Sequence, residues 1–329
     1  MGTSDEVGVK GLGGGRDRVA PDAGFFFIAG SYRSGTTWLR DMLNAHPEAF
    51  VLDEGWILND KGHGAEHWVD RGTIARWCDT GHNAWAERIG DAEEVARVAT
   101  RGAVEGVMRA AAATAHEGKR VRAIGDKTTF SYCDRVDALH GLFPDARFVH
   151  ALRDGRDVAV SHCFYLFKFR SREGPSQFEV LPEGAREHME RAYRFHGLGE
   201  GERVALFCEE SLRYFAGVWC ACVRGAARAR SLYTERFIEV RYERVLEQTS
   251  EELARVLGFL GLDARGELVG QIVERHRFEA RTKRERGEAD PLAKTRKGIA
   301  GDWRTYFGVE DERVWADAAG EAMREAGYV

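Results

Sequence analysis

The residues best suited to chemistry follow the first apolar stretch of the chain, residues 25–28. They read Gly30-Ser31-Tyr32-Arg33-Ser34-Gly35-Thr36-Thr37-Trp38, a loop bounded by two glycines and followed by a helical pattern. A strand, a tight loop and a helix start direct backbone N–H groups and the positive end of a helix at one point, which suits a phosphate. The stretch therefore predicts a phosphate-binding loop.

This loop lacks the lysine that nucleotide triphosphatases need. Gly30 and Gly35 have the separation found in a P-loop, but Thr36 and Thr37 stand where Lys-Ser or Lys-Thr would be required. The sequence therefore argues against a γ-phosphate grip and against a magnesium ligand in the loop. We expect a phosphate loop with a different role.

Further polar clusters lie where other strands are predicted to end. Asp126-Lys127 follows the short predicted strand 121–124, Arg153 follows the predicted strand 147–152, and Arg296-Lys297-Gly298 lies in a basic tail. Because the carboxyl ends of strands form the binding crevice of open α/β sheets, these clusters are expected to meet. Together they could supply two separate phosphate pockets.

The order of predicted elements indicates an α/β fold. Strands are predicted at residues 25–28, 49–52, 121–124, 147–152 and 237–240, and helices at 36–45, 92–116, 157–167, 185–195, 212–232 and 250–260. This alternation is typical of a mostly parallel central sheet flanked by helices, a P-loop-like three-layer fold. A polar loop or lid is predicted at residues 169–184.

The composition fits a soluble protein with one large core. The 329 residues are 43% hydrophobic with a net charge of −5, which lacks the basic excess of a general nucleic-acid-binding protein. The chain has no secretory signal pattern, no stretch of about 18 apolar residues, and six scattered cysteines that favour reduced thiols. We expect a cytoplasmic protein with a disordered leader at residues 1–22, a single domain at residues 23–329, no nucleic-acid partner and no membrane span.

Three separated motifs resemble those of the sulfotransferases that use 3′-phosphoadenosine 5′-phosphosulfate (PAPS) as sulfuryl donor. Arg33-Ser34-Gly35-Thr36-Thr37-Trp38-Leu39 resembles the 5′-phosphosulfate loop of this family. The stretch from Arg153 to Ser161 resembles its 3′-phosphate motif, and Arg296-Lys297-Gly298-Ile299-Ala300-Gly301-Asp302-Trp303 is similar to its RKGxxGDW element. The motifs occur in family order, which makes the resemblance specific and implies the sulfotransferase fold.

The resemblance also implies a set of contacts with the donor and its product, 3′-phosphoadenosine 5′-phosphate (PAP). Arg153 and Ser161 would hold the 3′-phosphate, since a guanidinium fork binds phosphate bidentately. Trp38 and Phe278 would flank the adenine ring, and Tyr242 would contact its edge. The implied donor-binding residues are Arg33, Ser34, Gly35, Thr36, Thr37, Trp38, Arg153, Ser161, Tyr242, Phe278, Arg296, Lys297 and Gly298.

Catalytic roles follow from the same resemblance. By analogy with phosphoryl transfer, the reaction is an in-line displacement, and Arg33 would stabilise the charge that builds on the leaving oxygen. Glu54 is the first choice for the base that accepts the proton of the acceptor hydroxyl. Asp126 is the alternative base, and Lys127 would line the acceptor pocket. The histidine used by the small-molecule cytosolic enzymes is absent, because Thr129 stands in its place.

Two other functions stay open at this level, an atypical P-loop kinase and a nucleotide-binding protein without catalysis. The resemblance implies no metal, since arginine-rich pockets would neutralise the phosphates. The acceptor is expected to be a small molecule, glycan or natural product that contacts residues 56–83 and 164–184. A homodimer is also left open. The basic residues 281–286 are expected to be solvated.

Overall fold

The computed structural model describes residues 18–55, 57–58, 92–115 and 120–329. Within these residues one parallel sheet contains β1 (Val19–Gly30), β2 (Ala49–Asp53), β3 (Val121–Lys127), β4 (Arg147–Leu152) and β5 (Phe237–Arg241). The strand order is β2-β3-β1-β4-β5, so β1 is central. Since the strands are parallel, their carboxyl ends lie at the same edge of the sheet.

The continuous apolar run of β1 is explained by burial on both faces of the sheet. Phe26, Phe27 and Ile28 are each at most 1% exposed. Phe26 and Ile28 belong to the core that includes Leu39, whereas Phe27 packs against Phe143 with ring centroids 5.1 Å apart. A strand buried on both faces reads as apolar throughout rather than alternating.

Helices cover both faces of the sheet. In chain order they are α1 (Thr36–Asn44), α2 (Ala92–Ala115), α3 (Ser131–Asp134), α4 (Val136–Leu142), α5 (Gly155–Glu173), α6 (Glu183–Ala192), α7 (Glu209–Tyr233), α8 (Tyr242–Glu247), α9 (Thr249–Leu260), α10 (Gly266–His276), α11 (Phe278–Thr282) and α12 (Val309–Glu325). Among the described helices, none has the length and apolarity needed to cross a bilayer. The predicted parallel sheet between helical layers is confirmed.

A separate hydrophobic core joins α5, α7 and α12 beside the sheet. Gly155 begins α5, and a Cβ at this position would come within 2.7 Å of both Trp219 and Trp315. Trp219 also donates its indole N–H to the carbonyl oxygen of Arg153 at 3.0 Å. This packing fixes the point where the chain leaves β4 and enters α5.

Some element boundaries differ from those predicted. β1 begins at Val19, inside the predicted leader, whereas residues 1–17 lie outside the described part of the chain. The loop predicted at residues 169–184 is wrong at both ends, because α5 continues to Glu173 and α6 begins at Glu183. The extension of α5 is supported by an ion pair of 2.6 Å between Arg170 and Glu190 of α6.

Two glycines of α7 provide a matched test of the packing. A Cβ at Gly225 would lie 2.2 Å from the carbonyl oxygen of Cys133 in α3, whereas a Cβ at Gly217 would meet no atom within 4 Å. We expect Gly225→Ala to lower the free energy of unfolding by about 1–3 kcal/mol. Gly217→Ala should raise it by up to about 1 kcal/mol. Urea denaturation measures both, and equal effects would contradict the packing described here.

Candidate active site

A cavity of about 350 Å³ lies at the carboxyl edge of the sheet. One wall comes from the loop after β1, and another from residues 284–303, which we call the C-terminal arm. The cavity is lined by the following predicted site residues: Arg33, Gly35, Thr36, Thr37, Trp38, Glu54, Lys127, Arg153, Ser161, Tyr242, Phe278, Arg296, Lys297 and Gly298. The structure thus brings together motifs that are far apart in the sequence.

The loop at residues 30–35, the phosphate loop, is shaped by its glycines. A Cβ at Gly30 would come within 2.4 Å of the carbonyl oxygen of Ala151 at the end of β4. Gly35 has a φ of 89°, and a Cβ there would lie 2.7 Å from the ring of Tyr242. Gly35 is also the N-cap of α1 and provides no side-chain cap. The first backbone N–H groups of α1 are therefore available to an anion in the cavity.

Arg33 extends from the phosphate loop toward α5. Its Nε donates to Ser161 Oγ at 3.2 Å, and its Nη2 donates to the carbonyl oxygen of Lys294 in the C-terminal arm. The guanidinium lies 4.8 Å from the ring centroid of Tyr165. Burial, aided by the charge of Arg153, lowers the pKa of Arg33 to about 10. The side chain therefore stays cationic at neutral pH.

Arg153 connects the phosphate loop to the C-terminal arm. Its Nη1 donates to the carbonyl oxygen of Arg33 at 3.2 Å, and its Nη2 donates to that of Ile299 at 3.1 Å. The guanidinium lies 4.1 Å from the ring centroid of Tyr242. Its Nε is buried without a hydrogen-bond partner in the described part of the chain. One N–H of this arginine is thus left for a ligand.

The C-terminal arm is held in place by hydrogen bonds to its backbone. Asp157 of α5 accepts from the backbone N–H of Gly301 at 2.7 Å and from that of Trp303 at 2.9 Å. Within the arm, Arg284 donates to the carbonyl oxygen of Arg296 at 2.7 Å. These bonds fix the backbone at the first residue of the RKG triplet and again after the triplet.

The charges of the arm are partly neutralised by one acid. Arg296 and Lys297 both pair with Asp302, the latter at 2.7 Å. The Nε of Arg296 is nevertheless buried without a hydrogen-bond partner among the described residues. Gly298 has a φ of 67°, and a Cβ there would lie 2.3 Å from the ring of Phe278. Only glycine allows this turn to pack on that ring.

Aromatic rings line the cavity between the phosphate loop and α11. Trp38 and Tyr242 have ring centroids 6.4 Å apart at an interplanar angle of 69°. The indole N–H of Trp38 donates to the carbonyl oxygen of His276 at 2.9 Å, which fixes the ring. Phe278, the third predicted aromatic residue, is buried and lines the same cavity.

Glu54 and Lys127 form an ion pair in the cavity wall. Lys127 Nζ pairs with Glu54 Oε1 and lies 2.7 Å from Asp53 Oδ1. The side chain of Lys127 is only 4% exposed. Thr129 Oγ1 donates to the same Glu54 oxygen at 3.4 Å. The other oxygen, Oε2, is buried without a hydrogen-bond partner among the described residues. One oxygen of this carboxylate is therefore fixed, and the second can accept a proton.

Asp126 and Ser34 do not line the cavity. Asp126 is fully buried, and its carboxylate accepts from Tyr132 OH at 2.5 Å, from Thr128 Oγ1 at 2.8 Å and from the backbone N–H of Gly55 at 2.9 Å. Burial raises the pKa of Asp126 to about 6. The geometry argues against Asp126 as the base, because its carboxylate does not line the cavity, whereas Glu54 does.

Several cavity residues were not predicted individually, although Tyr165 falls within the predicted acceptor segment 164–184. They are Tyr32, Asp53, Thr129, Tyr165, Leu246, His276, Arg281, Arg286, Lys294, Thr295 and Ile299. Tyr165 follows Ser161 by one helical turn, so the helical spacing could have identified it. Arg281 and Arg286 are exposed, as expected for residues 281–286, but both also line the cavity and make polar contacts. Arg281 pairs with Asp41 at 2.6 Å, and Arg286 donates to the carbonyl oxygen of Leu246 at 3.1 Å.

The structure describes only part of the two segments that were predicted to contact the acceptor. Of residues 56–83, the structure describes 57 and 58, and the rest lie outside the described residues. Of residues 164–184, Tyr165 lines the cavity.

Comparison with known proteins identifies the class. The family model described as "Sulfotransferase family" matches residues 26–200, more than half of the chain. The chain therefore belongs to the sulfotransferase family, and the resemblance read from the three motifs is confirmed. The protein is a sulfotransferase, an enzyme that transfers a sulfuryl group.

Individual relatives are distant. The nodulation protein NoeE of Sinorhizobium fredii is 24% identical over 319 residues, which cover 94% of this chain and 67% of that protein. The 3-alpha-hydroxysteroid sulfotransferase of Cavia porcellus is 25% identical over 192 residues, covering 56% of this chain and 57% of that protein. The structure of mouse sulfotransferase SULT7A1 complexed with PAP superposes with a TM-score of 0.50 at 16% identity, covering 92% of this chain and 85% of that one. This likeness supports a shared fold.

Asp157 provides a test of how the arm is held. Asp157→Asn replaces one accepting oxygen by an amide that cannot accept from a backbone N–H, and removes a charge-assisted bond of about 1.5–3 kcal/mol. Hydrogen exchange of the Gly301 and Trp303 amides should become about 10- to 100-fold faster. Asp137→Asn, which removes an exposed ion pair with Arg228, should leave both rates unchanged. Unchanged exchange in Asp157→Asn would show that the arm is held by other contacts.

Proposed function

We propose that the protein transfers a sulfuryl group from PAPS to the hydroxyl group of an acceptor, leaving PAP. One observation carries the donor assignment. Arg153 and Arg296 each direct a buried Nε–H without a hydrogen-bond partner in the described part of the chain, and both residues line one cavity with the phosphate loop. Buried donors without partners cost free energy, and phosphate oxygens would satisfy them.

The phosphate loop is the proposed site of the 5′-phosphosulfate. The N–H groups that open α1, with the hydroxyls of Thr36 and Thr37, would hold the 5′-phosphate at the positive end of the helix. Arg33 stays cationic and would face the oxygen that leaves with this phosphate. Its role is electrostatic, because charge on the leaving oxygen is larger in the transition state than in the ground state.

The 3′-phosphate site is proposed between α5 and the C-terminal arm. Arg153 and Ser161 would bind it from one side, and Arg296, Lys297 and the Gly298 amide from the other. The tight turn at Gly298 supports this role, since it brings backbone into the cavity wall. The rings of Trp38, Tyr242 and Phe278 would enclose the adenine.

Glu54 is the proposed base. Lys127 and Thr129 hold one carboxylate oxygen, and the other would receive the proton of the acceptor hydroxyl as the oxygen attacks sulfur. Tyr32, Tyr165 and Thr129 line the cavity as well and would contact a small-molecule or carbohydrate acceptor. The acceptor itself is open to a screen of phenols, sugars and lipid alcohols with ³⁵S-labelled PAPS.

The donor assignment is tested by calorimetric titration. We expect the protein to bind PAP without added metal and to bind ATP with magnesium at least about tenfold more weakly, because the loop lacks a lysine. Arg153→Ala should weaken PAP binding about 30-fold, equivalent to about 2 kcal/mol for a buried charge contact. Arg228→Ala, on an exposed helix face, is the matched control and should bind PAP normally. Preference for ATP with magnesium would favour the kinase instead.

The base is tested with Glu54→Gln. This substitution keeps the shape of the side chain but removes the proton acceptor, so turnover with the screened acceptor should fall about 10²–10⁴-fold. PAP affinity should stay within about twofold. Glu48→Gln, which alters an ion pair with Arg122, is the control. Full turnover of Glu54→Gln would assign the base elsewhere.

A further inference from the structure

The base lies in a backbone conformation that needs support. Glu54 has a φ of 52°, in the left-handed region, where a residue with a side chain costs about 1–2 kcal/mol. The conformation turns the chain sharply after β2, so that the carboxylate faces the cavity. Contacts with neighbouring residues must offset this cost.

The end of β3 supplies this support through two successive backbone N–H groups. The N–H of Glu54 donates to the carbonyl oxygen of Lys127 at 2.7 Å. The next N–H, of Gly55, donates to Asp126 Oδ1 at 2.9 Å. The turn that carries the base is therefore held by the backbone of one residue of β3 and by the side chain of the residue before it.

The carboxylate of Asp126 is itself held by hydrogen bonds on the side away from the turn. Its Oδ2 accepts from Tyr132 of α3 at 2.5 Å and from Thr128 at 2.8 Å. Tyr132 is fully buried, and its ring packs edge-on against Phe27 of the central strand with centroids 5.4 Å apart. The carboxylate is thus anchored to the core on one side and to the turn on the other.

We propose that Asp126 is a positioning residue for catalysis, which holds the Glu54 turn through Gly55 and thereby sets the direction of the base. The proposal rests on the proposed role of Glu54. It assigns Asp126 no contact with donor or acceptor. A displacement of about 1 Å at a reacting group can cost about 100-fold in rate, so loss of this support should appear in turnover rather than in donor binding.

The contact between the turn and Asp126 also requires glycine at position 55. A Cβ at this exposed residue would lie 2.4 Å from Asp126 Oδ1. Only glycine lets the backbone approach the carboxylate this closely. An alanine at position 55 would displace the turn without replacing any charged residue of the site.

The support should depend on pH. Among the described residues, the titratable groups facing Asp126 are Glu54 from the end of β2 and Tyr132 from α3, while β1 presents the uncharged Phe27. Burial raises the pKa of Asp126 to about 6. Above this pH the ionised carboxylate accepts all three hydrogen bonds, and below it the protonated group accepts more weakly. Turnover supported by Asp126 is therefore present above about pH 6 and declines as the pH falls through it.

The test compares Gly55→Ala, Asp126→Ala and Asp126→Asn with the wild type. The rate of conversion of ³⁵S-labelled PAPS is measured with 2-naphthol and with water as acceptors. We expect losses of about 10- to 100-fold for Gly55→Ala and Asp126→Ala, with PAP affinity within about twofold. Asp126→Asn should recover most of the rate, because its amide oxygen still accepts from Gly55, and should lack the decline near pH 6. Gly106→Ala, on α2 where a Cβ meets no atom within 4 Å, is the control for glycine replacement.

Crystal structures of the variants provide a readout that needs no acceptor. In Gly55→Ala and Asp126→Ala, we expect the Glu54 carboxylate to leave Lys127. Glu54 held as in the wild type, or wild-type turnover in Gly55→Ala, would overturn the proposal. Equal loss of turnover and of PAP binding would also overturn it, since Asp126 would then be a general structural residue. Absence of PAP binding by the wild type would instead refute the proposed function.

Discussion

Gly30 and Gly35 let the phosphate loop lie directly against the ends of β4 and β5. At Gly30 a Cβ would meet a backbone carbonyl at 2.4 Å, and at Gly35 it would meet the ring of Tyr242 at 2.7 Å. Because the loop lies so close to the ends of the strands, Arg153, which follows β4, can donate to the carbonyl oxygen of Arg33 and lie over the ring of Tyr242. The shape of the cavity therefore depends on two positions that no side chain can occupy.

The same compactness concentrates positive charge. Arg33, Arg153 and Arg296 line one cavity, and the charges of Arg153 and Arg296 contribute, after burial, to the lowered pKa of Arg33. Asp157 and Asp302 offset part of this repulsion, since they pair with arginines from outside the cavity wall. An anion that enters meets cations already held in place by packing and hydrogen bonds. Little reorganisation accompanies its binding, which is the condition under which electrostatic stabilisation is most effective.

The fold and the meeting of the three motifs at one cavity could be predicted because local residue types and spacing specify them. The sequence did not show which of Asp126 and Lys127 faces the cavity. Neighbouring residues on a strand point to opposite sides, but the spacing does not say which side the cavity is on. Lys127 reaches the cavity, whereas Asp126 is buried behind it. The end of α5 was missed because its polar residues are stabilised by α6, a tertiary contact. Helix α10 was missed because its buried stripe is short, with Val269 and Ile272.

The bonds between Asp157 and the C-terminal arm have a consequence for biosynthesis. They join residues 144 and 146 positions apart. At roughly 5–20 residues per second, a ribosome adds the arm about 7–30 s after Asp157. All the strands of the described sheet precede the arm in the chain, so they can pair before it arrives. The contacts that hold the arm can therefore form only after every strand of the described sheet has been synthesised.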